Sequence, residues 1–253
     1  MRSRREKEKI LLGRWDRHGL DRMLAAAHGL AGVGRRMEFI SRQFLGVPYR
    51  ESTLTGTEHT PEKLTINLGA VDCFTYIDYL EAMRRSDDFA GFKEALKAVR
   101  YREGKVDYSK RNHFLTDWVK ANPYVEDATA KVGRDSVRAA SKRLNDRGNG
   151  TWYVPGIPPQ ERRIAYIPGR AIDHSVIRRL RTGDYLGIYS PEKGLDVSHV
   201  GIVVKSGKRI KLRHASSSPS IRKVVEEDLV DYLAGKPGIV ILRPRATPRP
   251  LTR

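Results

Sequence analysis

The stretch Ser198–His214, SHVGIVVKSGKRIKLRH, constrains this chain more than any other part of it. Two alternating runs flank Ser206-Gly207, the signature of a β-hairpin with a tight turn. With Ser206-Gly207 as a two-residue turn, Lys205 pairs with Lys208 and His199 stands opposite His214, their Cβ atoms about 5 Å apart. Alternation then sends Arg209, Lys211 and Arg213 one way and Ile210, Leu212 and His214 the other. His199 falls on the same face as His214. A single inward histidine is ordinarily a hydrogen-bonded core residue, but two on one face require a further reason.

Three chemistries fit such a pair. The histidines form a polar pair with no further role, or they are two ligands of a zinc site, although the spacing is not HExxH and no third ligand follows from the pattern. Or they are the base and its orienting partner for a nucleophile. A nucleophile is available in Cys73, the chain's sole cysteine. One cysteine excludes an internal disulfide framework and any CxxC metal knuckle, leaving burial as a small hydrophobe or reactivity. From Asp72 the apolar pattern takes a helical period, with Cys73, Ile77 and Leu80 on one stripe. Asp72 is a good N-cap, so Cys73 is expected in the first turn, where the helix dipole favours a thiolate. An imidazole nearby would lower that pKa further.

The rest of the chain gives the frame. Met1 to about Leu45 reads as helical, and Gly46-Val47-Pro48-Tyr49 ends it. Lys63–Leu68 reads as extended, and Phe89–Val99 as a second helix after the one at Cys73. Residues 100–176 are polar and rich in Asn, Gly and Pro, and read as an insertion. Strands are expected at Gly183–Tyr189, Val197–Val204, Arg209–Ala215 and Gly238–Leu242, with a helix over Glu226–Leu233. Helices first and an antiparallel sheet afterwards describe an α+β architecture. With 253 residues the length suits one large domain. The expected division is a basic helical extension over 1–37, a main domain over 38–244 and a basic tail over 245–253. No apolar run is long enough to span a bilayer, and Ile10–Leu12 is too short for the apolar part of an export signal.

Taken together, these motifs resemble a known group. Val71-Asp72-Cys73 opening a helix, Gly183-Asp184 at a strand and Val197-Ser198-His199-Val200-Gly201-Ile202 are similar to the NlpC-type papain-like cysteine peptidases of bacterial cell walls. The finer likeness is to their N-acetylmuramoyl-L-alanine amidase-like branch. It is carried by Gly46-Val47-Pro48-Tyr49, by Arg111-Asn112-His113-Phe114 with Trp118, and by Arg213-His214-Ala215-Ser216-Ser217. The resemblance runs from about residue 38 to 244 and implies a papain-like fold with the nucleophile at a helix start. It departs from the branch at Phe74, where a threonine-rich step is usual, and at Asp78, which takes the place of a glutamate.

The resemblance implies Cys73 as nucleophile, His199 as base and His214 as the orienting group, with Tyr49 near the nucleophile. Arg111, Asn112, Ser198 and Ser216 are candidates for substrate contacts, although Arg111 is equally suited to an ion pair. The implied reaction is hydrolysis of an amide in peptidoglycan fragments through a thioester, with no cofactor and no metal. A muropeptide endopeptidase of the same fold is the alternative bond choice. A monomer acting in the periplasm or cell envelope is the implied setting, although no export signal is visible. The net charge of +18 suits substrates bearing several carboxylates, and also a nucleic-acid binder. No stacking motif, zinc finger or recognition helix accompanies that charge, so no specific nucleic acid is expected.

Overall fold

The computed structural model describes residues 8–246; the basic ends at 1–7 and 247–253 lie outside the described residues. The chain opens with strand β1 (Glu8–Leu11) and helices α1 (Arg17–Gly29) and α2 (Val33–Arg42). The continuous helix expected over the first 45 residues is therefore divided. Its break falls at Gly32, whose φ of +84° lies in the left-handed region that glycine adopts without steric cost. Strand β2 (Leu64–Asn67) pairs in parallel with β1, and helices α3 (Cys73–Met83) and α4 (Phe89–Arg100) follow. Residues 8–37, read as an extension, are packed onto the rest: Leu20, Leu24 and Ala27 of α1 are fully buried in the core that holds α3 and α4.

After α5 (Leu115–Ala121) come β3 (Val125–Asp127), α6 (Thr129–Gly133), β4 (Arg138–Leu144), β5 (Gln160–Pro168) and α7 (His174–Arg179). The chain then runs through β6 (Tyr185–Tyr189), β7 (Val197–Ser206), β8 (Arg209–Ala215), β9 (Val224–Asp228), α8 (Leu229–Leu233) and β10 (Gly238–Pro244). An antiparallel sheet in the order β4-β5-β10-β6-β7-β8-β9, with β3 also on β10, forms the middle layer. The fold is thus α+β with one large antiparallel sheet. The segment 100–176, read as an insertion, supplies three of the sheet's strands. One sheet face, with Tyr185, Val200, Ile202 and Val240, meets α1–α4. The other, with Leu186, Val203, Leu212 and Ile241, meets the short helices α6, α7 and α8.

The helix α3 lies against the middle of the sheet, and Thr75–Met83 are buried on every side of it. That all-round burial overrides the single stripe read from the sequence, and it encloses two carboxylates. Asp78 accepts from Arg100 Nε at 2.7 Å and from Trp118 Nε1 at 2.9 Å, while Arg100 also donates to the Thr65 carbonyl at 2.6 Å. Glu81 holds Arg84 through two contacts of 2.6 Å and accepts from the Tyr185 hydroxyl at 2.8 Å. Buried charges persist when paired in this way, and the pairs fix α3 against α4, α5 and β6.

The hairpin forms, with its register displaced from the expected one. Ser206 pairs with Arg209, and Ile202 with Arg213, so the turn residues are Gly207 and Lys208. Gly207 takes φ +58°, the left-handed value that a tight hairpin turn requires at its first central position. A slip of two residues preserves side-chain parity, so both histidines remain on one face. They are now diagonal neighbours, and Gly201 stands beside His214. A Cβ on Gly201 would lie 2.7 Å from the His214 Cβ and 2.9 Å from the Arg213 carbonyl oxygen. Glycine is what allows the imidazole its place.

Candidate active site

The site begins at the first turn of α3. Asp72 caps the helix, accepting from the amides of Phe74 at 3.0 Å and Thr75 at 2.7 Å, and the Thr75 hydroxyl returns the contact to the Asp72 amide at 3.0 Å. This capping box sets Cys73 as the first helical residue, as the sequence leads one to expect. The backbone amides of Val200, Cys73 and Phe74 lie near its sulfur and favour its charged form. Val200 immediately follows His199 on β7, so the start of α3 and the histidine strand meet at this point. The residue keeps some exposure, yet its sulfur is enclosed by protein. That burial, reinforced by the Asp72 carboxylate, pushes the thiol up to about 12 against the pull of the amides. The helix start therefore does not deliver a resting thiolate: desolvation outweighs the dipole.

The two imidazoles meet directly. His199 Nε2 lies 2.8 Å from His214 Nδ1, with the rings nearly perpendicular at 4.9 Å between centroids. The far nitrogen of His214, Nε2, lies 2.6 Å from Glu227 Oε2 on β9. Tyr232 of α8 covers the pair, its ring 5.0 Å from His214 and 6.3 Å from His199. Its phenol is pushed up to about 12 by burial and by the charges of Glu227 and Cys73, so all these groups share one neighbourhood. His199 is pushed down to about 3 by burial, with His214 and Lys236 adding to the effect. Burial also lowers His214, opposed by Glu227. At neutral pH the site thus holds a neutral thiol and a neutral His199.

The segment ahead of α3 closes the site on a third side. The amides of Gly46 and Tyr49 donate to the carbonyls of Val224 and Arg222 at 2.9 Å each, and the Val71 amide donates to the Pro48 carbonyl at 3.0 Å. These bonds hold Tyr49 between the start of β9 and the cap of α3. The charge of Cys73 helps burial raise the Tyr49 phenol to about 12, and Arg222 lies over its ring at 4.8 Å.

A family model described as AmiA-like, N-acetylmuramoyl-L-alanine amidase-like, matches residues 39–239. The chain belongs to this amidase-like family. No curated protein matches it in sequence. Solved structures similar to it include a Legionella pneumophila protein of the DUF1460 family model, 21% identical at a TM-score of 0.76, over 89% of this chain and 93% of that one. At that identity the likeness speaks for the fold alone. An N-acetylmuramoyl-L-alanine amidase from Bacteroides uniformis is 26% identical at a TM-score of 0.71, over 84% of this chain and 99% of its own. A Bacteroides fragilis protein named provisionally as a xylanase is 27% identical at a TM-score of 0.66, over 80% and 98%.

Within the stretch matched by the family, the other residues singled out from sequence have varied places. Ser198 is the extra residue of a bulge, since Ile188 pairs with His199 and Tyr189 with Val197, and it stands exposed beside the imidazole. Ser216 is buried and donates its amide to the Lys223 carbonyl at 3.0 Å. Arg111 forms an ion pair with Glu62, its Nε 3.1 Å from Oε1, and lies over the Tyr108 ring at 5.2 Å. Asn112 is buried, donating its side chain to the Val99 carbonyl at 3.0 Å and its amide to the Arg100 carbonyl at 2.8 Å. The contacts of Arg111 and Asn112 tie the segment after α4 to its neighbours. Among the described residues no group of three or more His, Cys, Asp or Glu side chains is placed to hold a metal. The nitrogens of the His199–His214 contact are turned on one another.

Glu227 was hidden from the sequence reading, which begins a helix at Glu226. Val224–Asp228 is instead a strand, and the helix runs only from Leu229 to Leu233. The alternation of Val225 and Glu227, which share a strand face, is the signal that could have found it.

Acid stability follows from these imidazoles. Burial lowers His199 to about 3 and His113 to about 4, and it lowers His214 as well. The unfolded chain protonates all three near pH 6.5. Their contribution is therefore complete above about pH 6.5 and is lost progressively as pH falls toward the folded values. The urea midpoint should fall between pH 7 and pH 4.5, and replacing His113 by Phe should flatten that slope. An unchanged slope in His113→Phe would show that this imidazole is not held neutral.

Proposed function

We propose that the chain is a cysteine amidase of papain-like, NlpC-type architecture acting on peptidoglycan fragments. The bond assigned is the amide between the lactyl group of muramic acid and L-alanine. The observation that carries the reading is the contact of His199 Nε2 with His214 Nδ1 at 2.8 Å, on a strand whose next residue, Val200, lies beside Cys73.

In this mechanism the neutral thiol and neutral imidazole react together. His199 takes the Cys73 proton as the sulfur attacks the carbonyl, so a thiolate is formed only as it is consumed. Asp72 occupies the amides of Phe74 and Thr75, leaving the Cys73 amide beside the sulfur to receive the developing oxyanion. Protonated His199 then gives its proton to the leaving amine of L-alanine. Water, deprotonated by the same imidazole, hydrolyses the thioester and restores the thiol. The excess positive charge favours the approach of the stem carboxylates, and such a substrate implies work in the cell envelope.

The name of the Bacteroides fragilis neighbour raises a glycosidase as a second reading. A glycosidase needs two carboxylates flanking the sugar. Here the carboxylates nearest the thiol and imidazoles, Asp72 and Glu227, are engaged by the helix cap and by His214, which supports the amidase.

Alkylation with iodoacetamide should abolish release of the peptide from a muramyl peptide, while a chelator should leave the rate unchanged. Activity that survives complete alkylation of Cys73 would contradict the cysteine mechanism.

A further inference from the structure

We propose that Glu227 is a positioning residue that selects the tautomer in which His199 can act as a base. The inference rests on the amidase reading for its substrate and on the imidazole chain for its physics. A carboxylate oxygen 2.6 Å from His214 Nε2 requires a proton on that nitrogen. His214 Nδ1 then carries a lone pair and accepts from His199 Nε2–H across 2.8 Å. His199 Nδ1 is left bare, the only one of the four ring nitrogens free to take a proton from Cys73.

Without the carboxylate this order reverses readily. His214 could carry its proton on Nδ1 and donate it to His199 Nε2, which would place the His199 proton on Nδ1, where a base must have none. Glu227 also supplies charge. Lys236, whose ammonium lies 5.1 Å from the Tyr232 ring centre, disfavours protonation of both imidazoles. When the Cys73 proton arrives on His199 Nδ1, the imidazolium donates through Nε2 to His214, which donates in turn to Glu227. The proton remains on His199 until the amine takes it, and none passes to the carboxylate. Cys73, Tyr232 and Lys236 are the other titratable groups whose charges act around this chain.

Nothing in the local packing requires a carboxylate here. The Glu227 side chain is 37% exposed, at the rim of the site, while its partner His214 is only 2% exposed. Glutamine would conserve its shape and its capacity for hydrogen bonds. It could also donate to His214 Nε2 and so enforce the unproductive tautomer.

The test compares Glu227→Gln and Glu227→Ala with the wild type on a muramyl peptide and, separately, on the rate of Cys73 alkylation by iodoacetamide. Both variants are expected to lose about 10- to 100-fold in kcat with KM within about twofold. Alkylation should slow in parallel, and formate should restore part of the rate to Glu227→Ala. Wild-type kcat and alkylation in Glu227→Gln would overturn the proposal, because a merely structural carboxylate tolerates that change. Nitrogen-15 NMR of the wild-type imidazoles gives a check independent of whether the variants fold. Protonated Nε2 with bare Nδ1 on His199 is expected, and a proton on Nδ1 would overturn the assignment. If the wild type cleaves no muramyl peptide but alkylation still depends on Glu227, the substrate reading fails and the tautomer assignment stands. If cleavage occurs and is indifferent to Glu227, the reverse holds.

Discussion

His199→Ala is expected to slow amide hydrolysis at neutral pH by at least about 10³-fold, with little change in KM. The size follows from the resting state of the pair. Burial and the nearby Asp72 carboxylate hold the thiol near 12, so almost no thiolate exists at pH 7 without an acceptor for its proton. An enzyme that already held a thiolate would keep much of its attack rate after losing the imidazole. In the proposed mechanism the base is needed at the moment of attack. Alkylation of Cys73 should slow as well, and should recover only as pH approaches the thiol's own range. A variant that alkylates at the wild-type rate near neutrality would show that the sulfur is activated by something other than His199. At acid pH the unfolding transition should be slightly raised, because holding that imidazole neutral is costly to the fold there.

Asp78→Ala is expected to cost about 3–5 kcal/mol of folding stability, a large share of the roughly 5–15 kcal/mol that holds a domain of ordinary size together. Arg100 is 1% exposed and spends its charge on Asp78, with the Thr65 carbonyl as a second acceptor. Removing the carboxylate leaves a buried guanidinium uncompensated and also frees the Trp118 indole N–H. Replacing both partners, as in Asp78→Leu with Arg100→Met, should recover much of the loss, since an apolar pair of similar volume carries no buried charge. Chemical unfolding of the two single variants and the double variant measures this. A single Asp78→Ala variant within 0.5 kcal/mol of wild type, a tolerance typical of surface positions, would mean that Arg100 finds another partner.

The parts of the site that were legible in the sequence are those set by local chemistry. Asp72 before a helical run is a cap by the geometry of its side chain, and Cys73 follows from it. The shared face of His199 and His214 follows from strand parity, which survives a register slip of two. The observed register differs from the expected one because Ser206-Gly207 and Gly207-Lys208 both contain the glycine that a tight turn needs, and only the observed pairing of Ser206 with Arg209 chooses between them. What was not legible depends on distant partners. Strand β4, Arg138–Leu144, is polar and largely exposed, and it is a strand only because β5 pairs along its whole length. Glu227 sits in an acidic run just before a helix, which in isolation resembles a helix start; His214 and the β8 ladder make it a strand. Arg111 suits a substrate contact and an ion pair equally from sequence, and the partner with which it pairs, Glu62, lies far away in the sequence.

The central claim is a cysteine-dependent cut at one particular amide, and product masses test it most directly. A defined muropeptide incubated with the wild type and with Cys73→Ala should yield the free sugar and an L-alanine-headed peptide with the wild type alone. A dipeptide with a shortened stem would instead make the protein an endopeptidase of the same fold. The same products from Cys73→Ala would contradict the account at its centre.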